Sequence, residues 1–292
     1  MTRSWMVRGG AIPLTRPLLM GVVNSTPDSF SDGGLLATVD AAVAHAHGLI
    51  RGGADVIDVG GESTRPGALP VSLDEEIDRV LPVVSRLADA GVLVSVDTTK
   101  PEVADACLRA GAVIVNDVGG MGDPAMRRVV VSHGAGAVVM HMQGEPRTMQ
   151  DNPSYDDVVV DIRNFLIERR DGLVAAGADP ASVVVDPGIG FGKTVAHNLT
   201  LLNRLPELAV AGPVMVGASR KRFLGAISGR DVPAERDFAS AVAAAAAILR
   251  GASILRVHDV VQTLEAAKVA WAIVREEGAQ WAPVAARGVA EG

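Results

Sequence analysis

Polar side chains that could do chemistry recur along the chain, each after a short apolar run. Two carboxylates, Asp97 and Asp186, follow such runs, as do the amide Asn116 and the ammonium Lys221. An ionised carboxylate can accept hydrogen bonds from a ring N–H and an exocyclic amine together, so it suits the edge of an aminopyrimidine. These four residues could therefore converge on a flat heterocycle that offers both donors and acceptors.

A second group of polar residues suits a phosphate. Asn24 ends the first apolar run, and Arg256 and His258 lie in and after the last one. Asp and Asn are common helix caps, but the cations Lys221, Arg256 and His258 oppose the positive N-terminal end of a following helix. An amide oxygen beside cationic donors suits an anion with its divalent cation. The residue types therefore predict a site for a heterocycle and a phosphate.

The elements that must position these residues alternate in type. Short apolar runs alternate with amphipathic or alanine-rich helical patterns, and the alternation occurs eight times. Eight βα units predict one closed (β/α)8 barrel of the TIM type, whose reactive groups sit at the carboxyl ends of the strands. The predicted strands are 19–24, 55–60, 92–97, 112–117, 136–141, 183–187, 213–217 and 253–257. The predicted helices are 37–51, 72–90, 100–109, 123–133, 155–176, 197–204, 236–250 and 260–276.

Two alternative interpretations fit the pattern less well. An open doubly wound sheet usually carries a glycine fingerprint after its first strand, whereas here the polar loop NSTPDSFSDGG follows. The segment DPGIGFGKT (186–194) ends like a Walker A motif, but Pro187 occupies the position of that motif's first glycine. We interpret this segment as a strand end and a loop from which Phe191 and Lys193 overhang the pocket.

Composition limits the classes of partner. The net charge of -7 argues against non-specific binding to nucleic acid, and no run reaches the ~18 apolar residues that a membrane span needs. The single cysteine, Cys107, lies in an apolar helical stretch and cannot form an intramolecular disulfide. We expect a cytoplasmic protein with an N-terminal extension (1–18), a barrel (19–277) and a C-terminal tail (278–292) that is a candidate for disorder.

Eight ordered segments, one in each βα unit, resemble the motifs of the dihydropteroate synthase family. The segments are MGVVNSTPDSFSDGG (20–34), GADVIDVGGESTRPGA (53–68), SVDTTKPEVA (95–104), VNDVGG (115–120), VMHMQG (139–144), DPGIGFGKT (186–194), GASRKRFLG (217–225) and RVHDV (256–260). The resemblance implies a transferase that condenses 6-hydroxymethyl-7,8-dihydropterin pyrophosphate with p-aminobenzoate and releases pyrophosphate, in folate biosynthesis. It also implies Mg²⁺ as cofactor and a homodimer.

The resemblance further implies a role for each matching residue. Asp97, Asn116, Asp186 and Lys221 resemble the pterin-binding set, while Arg256 and His258 resemble the site for the β-phosphate. Asn24 resembles the magnesium ligand, which Asp32 on the first of two mobile loops, 25–34 and 62–70, could approach. The implied catalytic residues are Asp97, Asp186, Lys221, Arg256 and His258. The implied p-aminobenzoate pocket comprises Phe30, Thr64, Arg65, Pro66, Phe191, Ser219 and Lys221.

The chain departs from the family pattern at two places. Ser25 stands where an aliphatic residue is more usual, and Gly119-Gly120 replaces Ser-Gly. Ser25 lies in the first loop, so it bears on loop ordering and on affinity for p-aminobenzoate or sulfonamides, and a sulfonamide-tolerant variant stays open. Two alternative functions also stay open: a pterin-dependent methyltransferase and a catalytically silent pterin-binding paralogue.

Overall fold

The structure is a computed structural model that describes residues 4–25, 38–63, 70–145, 147–278 and 281–282. Within these residues, ten strands and nine helices are present. The strands are β1 (Ser4–Val7), β2 (Gly10–Pro13), β3 (Leu18–Asn24), β4 (Val56–Gly60), β5 (Val94–Asp97), β6 (Ile114–Asp117), β7 (Gly136–Met140), β8 (Val183–Asp186), β9 (Met215–Val216) and β10 (Ile254–Val257). The helices are α1 (Val39–Arg51), α2 (Leu73–Asp89), α3 (Pro101–Arg109), α4 (Pro124–His133), α5 (Val158–Ala175), α6 (Val195–Asn203), α7 (Arg222–Ser228), α8 (Asp237–Leu249) and α9 (Val260–Arg275).

Strands β3 to β10 form one parallel sheet of eight strands, which confirms the predicted (β/α)8 barrel. The spatial order is β8-β7-β6-β5-β4-β3-β10-β9. A bridge between Val185 and Val214 joins the two ends of this sheet, and the Val185 N–H donates to the Pro213 carbonyl at 2.9 Å. The ring therefore closes, and the carboxyl ends of all eight strands meet at one mouth.

Alternation of side chains along the strands creates two apolar layers. In β4, Ile57 and Val59 pack outward against the helices, whereas Val56 points into the lower half of the barrel. The outer layer is rich in valine, alanine and leucine, whose compact side chains fill the space between sheet and helices. The barrel interior is thus packed, and the strands hold their terminal side chains in fixed positions.

The predicted N-terminal extension contains a hairpin, β1-β2, that packs against the lower end of the barrel. Trp5 and Ile12 are fully buried there, in one cluster with Met20, Val138 and Val184 of the barrel interior. The Trp5 indole N–H donates to the Ser182 carbonyl at 2.8 Å, so its polar atom is satisfied. The hairpin covers the end of the barrel opposite the mouth.

Part of the predicted C-terminal tail also contacts the barrel. The Arg16 guanidinium lies 4.4 Å from the centre of the Trp281 ring and donates to the Ala282 carbonyl at 2.8 Å. The same guanidinium pairs with both carboxylate oxygens of Asp55, each at 2.8 Å. Trp281 and Ala282 therefore contact the barrel through Arg16, which pairs with Asp55.

The structure differs from the predicted elements at one strand and one helix. The seventh predicted strand, 213–217, is reduced to Met215–Val216, since Pro213 has no N–H to donate to a ladder. The short helix α7 was not predicted, because its sequence RFLGAIS directly follows polar residues and is too short for a periodic signal.

No helix among the described ranges is long and apolar enough to cross a membrane.

Candidate active site

The predicted site residues that fall within the described ranges gather at the mouth of the barrel. A cavity of about 910 Å³ is lined by Asn24, Asp97, Phe191, Ser219, Lys221, Arg256 and His258, among others. Asn116, paired in register with Asp97, lies one residue before the end of β6, and Asp186 ends β8; each is 3% exposed. Five predicted residues lie outside the described residues: Phe30, Asp32, Thr64, Arg65 and Pro66.

Arg256 clamps two carboxylates inside the barrel mouth. Its Nε–H donates to Asp58 Oδ2 at 2.6 Å and its Nη2–H donates to Asp97 Oδ2 at 2.6 Å. The Asn116 side-chain amide donates to the same Asp58 oxygen at 2.9 Å. Asp58 is fully buried and lies in the middle of β4. It was missed by the sequence interpretation, although a carboxylate within an otherwise apolar strand is itself a signal.

The crowding of carboxylates changes their acidity. Burial raises the pKa of Asp97 to about 7; Arg256 opposes this rise, while the negative charges of Asp58 and Glu76 add to it. Burial by itself would lower the pKa of Arg256, but Asp58 and Asp97 outweigh it and raise that pKa. Arg256 therefore stays charged, whereas the ionisation of Asp97 changes near neutral pH.

Two buried oxygen atoms of this cluster have no hydrogen-bond partner among the described residues. They are Asp58 Oδ1 and Asn116 Oδ1. A buried acceptor without a donor is costly, by roughly 1–3 kcal/mol, so such atoms usually receive water or a ligand. Both oxygens can accept hydrogen bonds from an N–H group brought into the mouth.

Asp186 provides a further buried carboxylate, at the end of β8. Its Oδ1 accepts from the Gly188 N–H at 2.7 Å. Burial raises the pKa of Asp186, while the Gly188 hydrogen bond and the charge of Lys221 act in the opposite direction. Lys221, which lines the cavity, thus partly offsets the charge of the buried Asp186.

The loop from residue 187 to 193 forms an adjoining aromatic wall. The Lys221 ammonium lies 3.8 Å from the centre of the Phe191 ring, within cation–π distance. Hydrogen bonds hold the loop backbone on both sides: Gln150 donates to the Gly190 carbonyl at 2.7 Å, and the Tyr155 hydroxyl donates to the Gly192 carbonyl at 2.7 Å. The Phe191 ring is therefore presented on a fixed backbone.

Lys193 lies deeper than the sequence interpretation placed it. Its side chain was expected to overhang the pocket with Phe191, but Lys193 is only 3% exposed. The ammonium donates to the Phe191 carbonyl at 2.8 Å and lies 3.0 Å from His141 Nδ1. Burial lowers the pKa of Lys193 to about 7 and that of His141 to about 3. Lys193 thus lines the same cavity from a buried position and holds the backbone of Phe191.

Ser219 and His258 form the opposite rim of the cavity. The Ser219 hydroxyl oxygen accepts from the His258 backbone N–H at 3.2 Å and lies 3.1 Å from His258 Nδ1. The direction of the second hydrogen bond depends on the tautomer of the imidazole. Both contacts fix the orientation of His258 beside Arg256.

Ser25, the departure noted in the sequence, joins the end of β3 to α2. Its hydroxyl donates to the Arg79 carbonyl at 3.1 Å, and its N–H donates to the Gly60 carbonyl at 2.8 Å. The Arg79 guanidinium donates in turn to the Gly61 carbonyl at 2.9 Å. A serine here therefore ties the start of the loop after β3 to the start of the loop after β4. An aliphatic residue could not donate the first of these hydrogen bonds.

Comparisons with known proteins agree with this geometry. The protein-family model described as "Pterin binding enzyme" matches residues 20–258. The dihydropteroate synthase of Escherichia coli K12 is 44% identical over 264 residues, which cover 90% of this chain and 93% of that protein.

Solved structures of dihydropteroate synthases are similar along nearly their whole length. The Xanthomonas albilineans enzyme with 4-aminobenzoic acid has a TM-score of 0.87 at 45% identity and covers 94% of this chain and 99% of that one. The Burkholderia cenocepacia enzyme complexed with 7,8-dihydropteroate has a TM-score of 0.85 at 44% identity and covers 94% and 97%.

Proposed function

Since the chain belongs to the dihydropteroate synthase family of pterin-binding enzymes, we propose a role in catalysis or binding for each group of residues around its cavity. The reaction condenses 6-hydroxymethyl-7,8-dihydropterin pyrophosphate with p-aminobenzoate and yields 7,8-dihydropteroate and pyrophosphate. The methyltransferase and the silent paralogue are not favoured, because the resemblance in sequence to the Escherichia coli dihydropteroate synthase extends over 90% of the chain.

The dihydropterin ring is proposed to bind between the buried carboxylates of Asp97 and Asp186. The observation that carries this proposal is the unpartnered Asn116 Oδ1, buried beside the clamp of Arg256 on Asp58 and Asp97. An aminopyrimidine brings several N–H donors, and the buried oxygens of Asn116 and Asp186 are acceptors that such donors would satisfy. Its binding would therefore remove the desolvation cost that Asn116 Oδ1 carries in the free enzyme.

The pyrophosphate is proposed to lie towards Arg256 and His258. Arg256 stays charged because two carboxylates hold its proton, and a guanidinium has five N–H donors with which to contact both carboxylates and an anion. His258 lines the same cavity and is oriented by Ser219. Cationic donors at this rim would stabilise the charge that develops on the departing pyrophosphate.

Mg²⁺ is proposed to bind at Asn24, with Asp32, which lies outside the described residues, as a second ligand. Asn24 ends β3 and lines the cavity that Arg256 and His258 also line. Its amide oxygen is a hard donor, and Mg²⁺ commonly takes only one or two protein ligands together with substrate phosphates and water, so the donor set fits. The ion, when bound, would neutralise part of the negative charge of the pyrophosphate.

Displacement is proposed to be dissociative. As pyrophosphate leaves, the methylene carbon becomes a cation conjugated with the pterin ring, and the negative charges of Asp97 and Asp186 lie where they would favour it. The amine of p-aminobenzoate then attacks that carbon and releases one of its protons to solvent or to the departing pyrophosphate, so no covalent enzyme nucleophile is needed. Ionised Asp97 is therefore the competent form.

p-Aminobenzoate is proposed to pack against the Phe191 ring, near Lys221 and Ser219. The flat face of Phe191 and the charge of Lys221 suit a benzoate ring with its carboxylate. The Xanthomonas albilineans relative was solved with 4-aminobenzoic acid, which supports the assignment by similarity. Phe30, Thr64, Arg65 and Pro66 complete the proposed pocket and lie outside the described residues.

A homodimer is proposed through one side of the barrel. Among the described helices, large apolar side chains that are exposed occur on α6 to α9 and not on α1 to α5. On α8, Phe238, Val242 and Leu249 recur at helical spacing, and Phe238 is 76% exposed. Such a contiguous apolar face is typical of a subunit interface, and a second copy would bury it.

The function is tested by measuring pyrophosphate release with dihydropterin pyrophosphate and Mg²⁺, with and without p-aminobenzoate. Release that depends on p-aminobenzoate is expected. A third reaction with a sulfonamide separates a drug-sensitive enzyme from a tolerant one. If dihydropterin pyrophosphate binds but no pyrophosphate is released, the synthase assignment is wrong and a silent paralogue or a methyltransferase takes its place.

A further inference from the structure

The segment between β9 and α7 carries two proposed site residues, Ser219 and Lys221, on either side of Arg220. The backbone of Arg220 has a φ of 58°, in the left-handed region that residues with a Cβ rarely adopt. This conformation is strained for a residue with a Cβ, so it persists only where neighbouring contacts impose it. The structure shows which contacts do so.

The first turn of α8 and the residue before it hold Arg220 at three points. The Arg220 guanidinium pairs with both carboxylate oxygens of Asp237, Nε with Oδ1 at 2.7 Å and Nη2 with Oδ2 at 2.9 Å. The Arg220 N–H donates to the Ser240 hydroxyl at 2.9 Å, and the Arg220 carbonyl accepts from Arg236 Nη1 at 3.0 Å. Side chain, N–H and carbonyl are thus all fixed by one neighbouring element.

This anchor is itself firmly packed. Arg236 and Ser240 are 7% and 4% exposed, and the Ser240 hydroxyl donates to the Arg236 carbonyl at 2.7 Å. The Arg236 Nε–H donates to the Arg230 carbonyl at 2.9 Å. A Cβ added at Gly225 of α7 would meet Arg236 Nε at 2.5 Å, so α7 packs directly on this guanidinium. Movement of the anchor would disturb both helices.

We infer that Arg220 is a positioning residue, which with Asp237 holds the left-handed turn that sets Ser219 and Lys221 at the cavity. The inference rests on the roles proposed above for Ser219 and Lys221. Ser219 contacts His258 and Lys221 lies over Phe191, so a change in the backbone between them would displace contacts on both sides of the cavity. Errors of about 1 Å in a site of this kind can cost on the order of a hundredfold in rate.

Comparing Arg220→Ala with Arg220→Gly separates positioning from mere loss of a side chain. Both variants lose the ion pair with Asp237, but glycine adopts the left-handed conformation without a steric penalty. We expect Arg220→Ala to lower kcat/KM at least about tenfold for both substrates, and Arg220→Gly to recover roughly fivefold of that loss. Equal activities of the two variants, or a wild-type rate for Arg220→Ala, would overturn the inference.

A mutant cycle with Asp237→Ala supplies an independent readout. If Arg220 acts through Asp237, the double variant should be no slower than the slower single variant, whereas multiplicative losses would contradict the pairing. Arg275→Ala, an exposed arginine of α9, serves as the control and should match the wild type, with thermal melting reporting the fold of every variant. A full-rate Lys221→Ala enzyme would overturn the proposed role of Lys221; a slow Lys221→Ala beside a full-rate Arg220→Ala would overturn only the present inference.

Discussion

At the scale of single residues, the main feature of the site is that two carboxylates share one cation. One guanidinium, Arg256, contacts two buried carboxylates, Asp58 and Asp97. Because the cation is shared, neither carboxylate is fully compensated, and burial raises the pKa of Asp97 to about 7. The protonation of Asp97 is therefore sensitive to any change in its neighbours.

Asp58→Asn should move the pH profile of the enzyme. The negative charge of Asp58 adds to the rise in the pKa of Asp97, so its removal lowers that pKa. Of the two carboxylates that pair with Arg256, only Asp97 then remains charged. The proposed mechanism needs ionised Asp97, so activity should be lost as the pH falls through this pKa, and the substitution should move the acidic limb of kcat/KM from about pH 7 to lower pH. The profile of kcat/KM for dihydropterin pyrophosphate measures this, with the exposed Asp89→Asn as control. If the acidic limb does not move, the ionisation of Asp97 does not determine it.

Lys221→Ala and Asp186→Asn should each slow turnover while the fold is kept. A charged hydrogen bond contributes ~1.5–3 kcal/mol, so losing one that acts in the transition state costs roughly ten- to a hundredfold in kcat. Steady-state kinetics with circular dichroism measures both effects. Lys268→Ala, at an exposed lysine of α9, should retain the wild-type rate. A full-rate Lys221→Ala enzyme would remove Lys221 from the proposed site.

At the scale of elements, the loop after β8 shows how close packing shapes the site. Gly188 has a φ of 66°, and a Cβ built on it would lie 1.9 Å from the His141 carbonyl oxygen. The loop can therefore cross the end of β7 only with glycine at this position. Such close approach is what places Phe191 against Lys221.

Gly188→Ala should be much more harmful than the same substitution at Gly134. Both glycines have positive φ, but a Cβ at Gly134 meets nothing within 4 Å. We expect Gly134→Ala to cost about 1 kcal/mol of unfolding free energy, and Gly188→Ala to cost more and to impair binding of p-aminobenzoate. Urea denaturation and ligand titration measure the two effects. Similar unfolding free energies for the variants would show that the loop can move away from His141.

At the scale of the whole molecule, the two ends of the barrel have different tasks. The mouth holds the site, whereas the lower end is covered by the β1-β2 hairpin and stabilised by apolar packing. Division of this kind is general in TIM barrels, where the lower face serves stability. Substitutions at the two ends should therefore affect different measurements.

Trp5→Ala should destabilise the protein with little effect on catalysis by the folded fraction. The substitution removes a fully buried indole and leaves the Ser182 carbonyl without its donor, which predicts a loss of about 3–5 kcal/mol. Chemical denaturation measures the loss. Met6→Ala, on the same strand but 36% exposed, should cost far less. Equal costs at both positions would mean that the hairpin does not contribute to the core.

Phe238→Glu should separate the proposed dimer into monomers. A charge at the N-terminal end of the apolar face of α8 would have to be desolvated in an interface, which opposes association. Light scattering coupled to size-exclusion chromatography measures the mass. Val210→Glu, at a residue 63% exposed but outside the helices, should leave the mass unchanged. A wild-type protein that is already monomeric at micromolar concentration would exclude this interface.

Much of this molecule follows from its sequence, because the relevant signals are local. Alternating periodicity predicts the eight strands, and parallel strands in a ring must bring Asp97, Asn116 and Asp186 to one mouth. The order of the motifs predicts the family. Elements with weak local signals, such as α7 and the β1-β2 hairpin, were not predicted as such.

Only the tertiary structure decided which side chains meet. Asp58 and Arg256 are separated by 198 positions, and no local pattern pairs them. Lys193 follows a glycine-rich segment whose sequence does not determine whether the side chain points to solvent or inward. The side chain is buried beside His141 because the loop packs against the end of another strand. Periodicity reports the environment of a residue along its own element, whereas partners and pKa values depend on distances between elements that only the closed barrel sets.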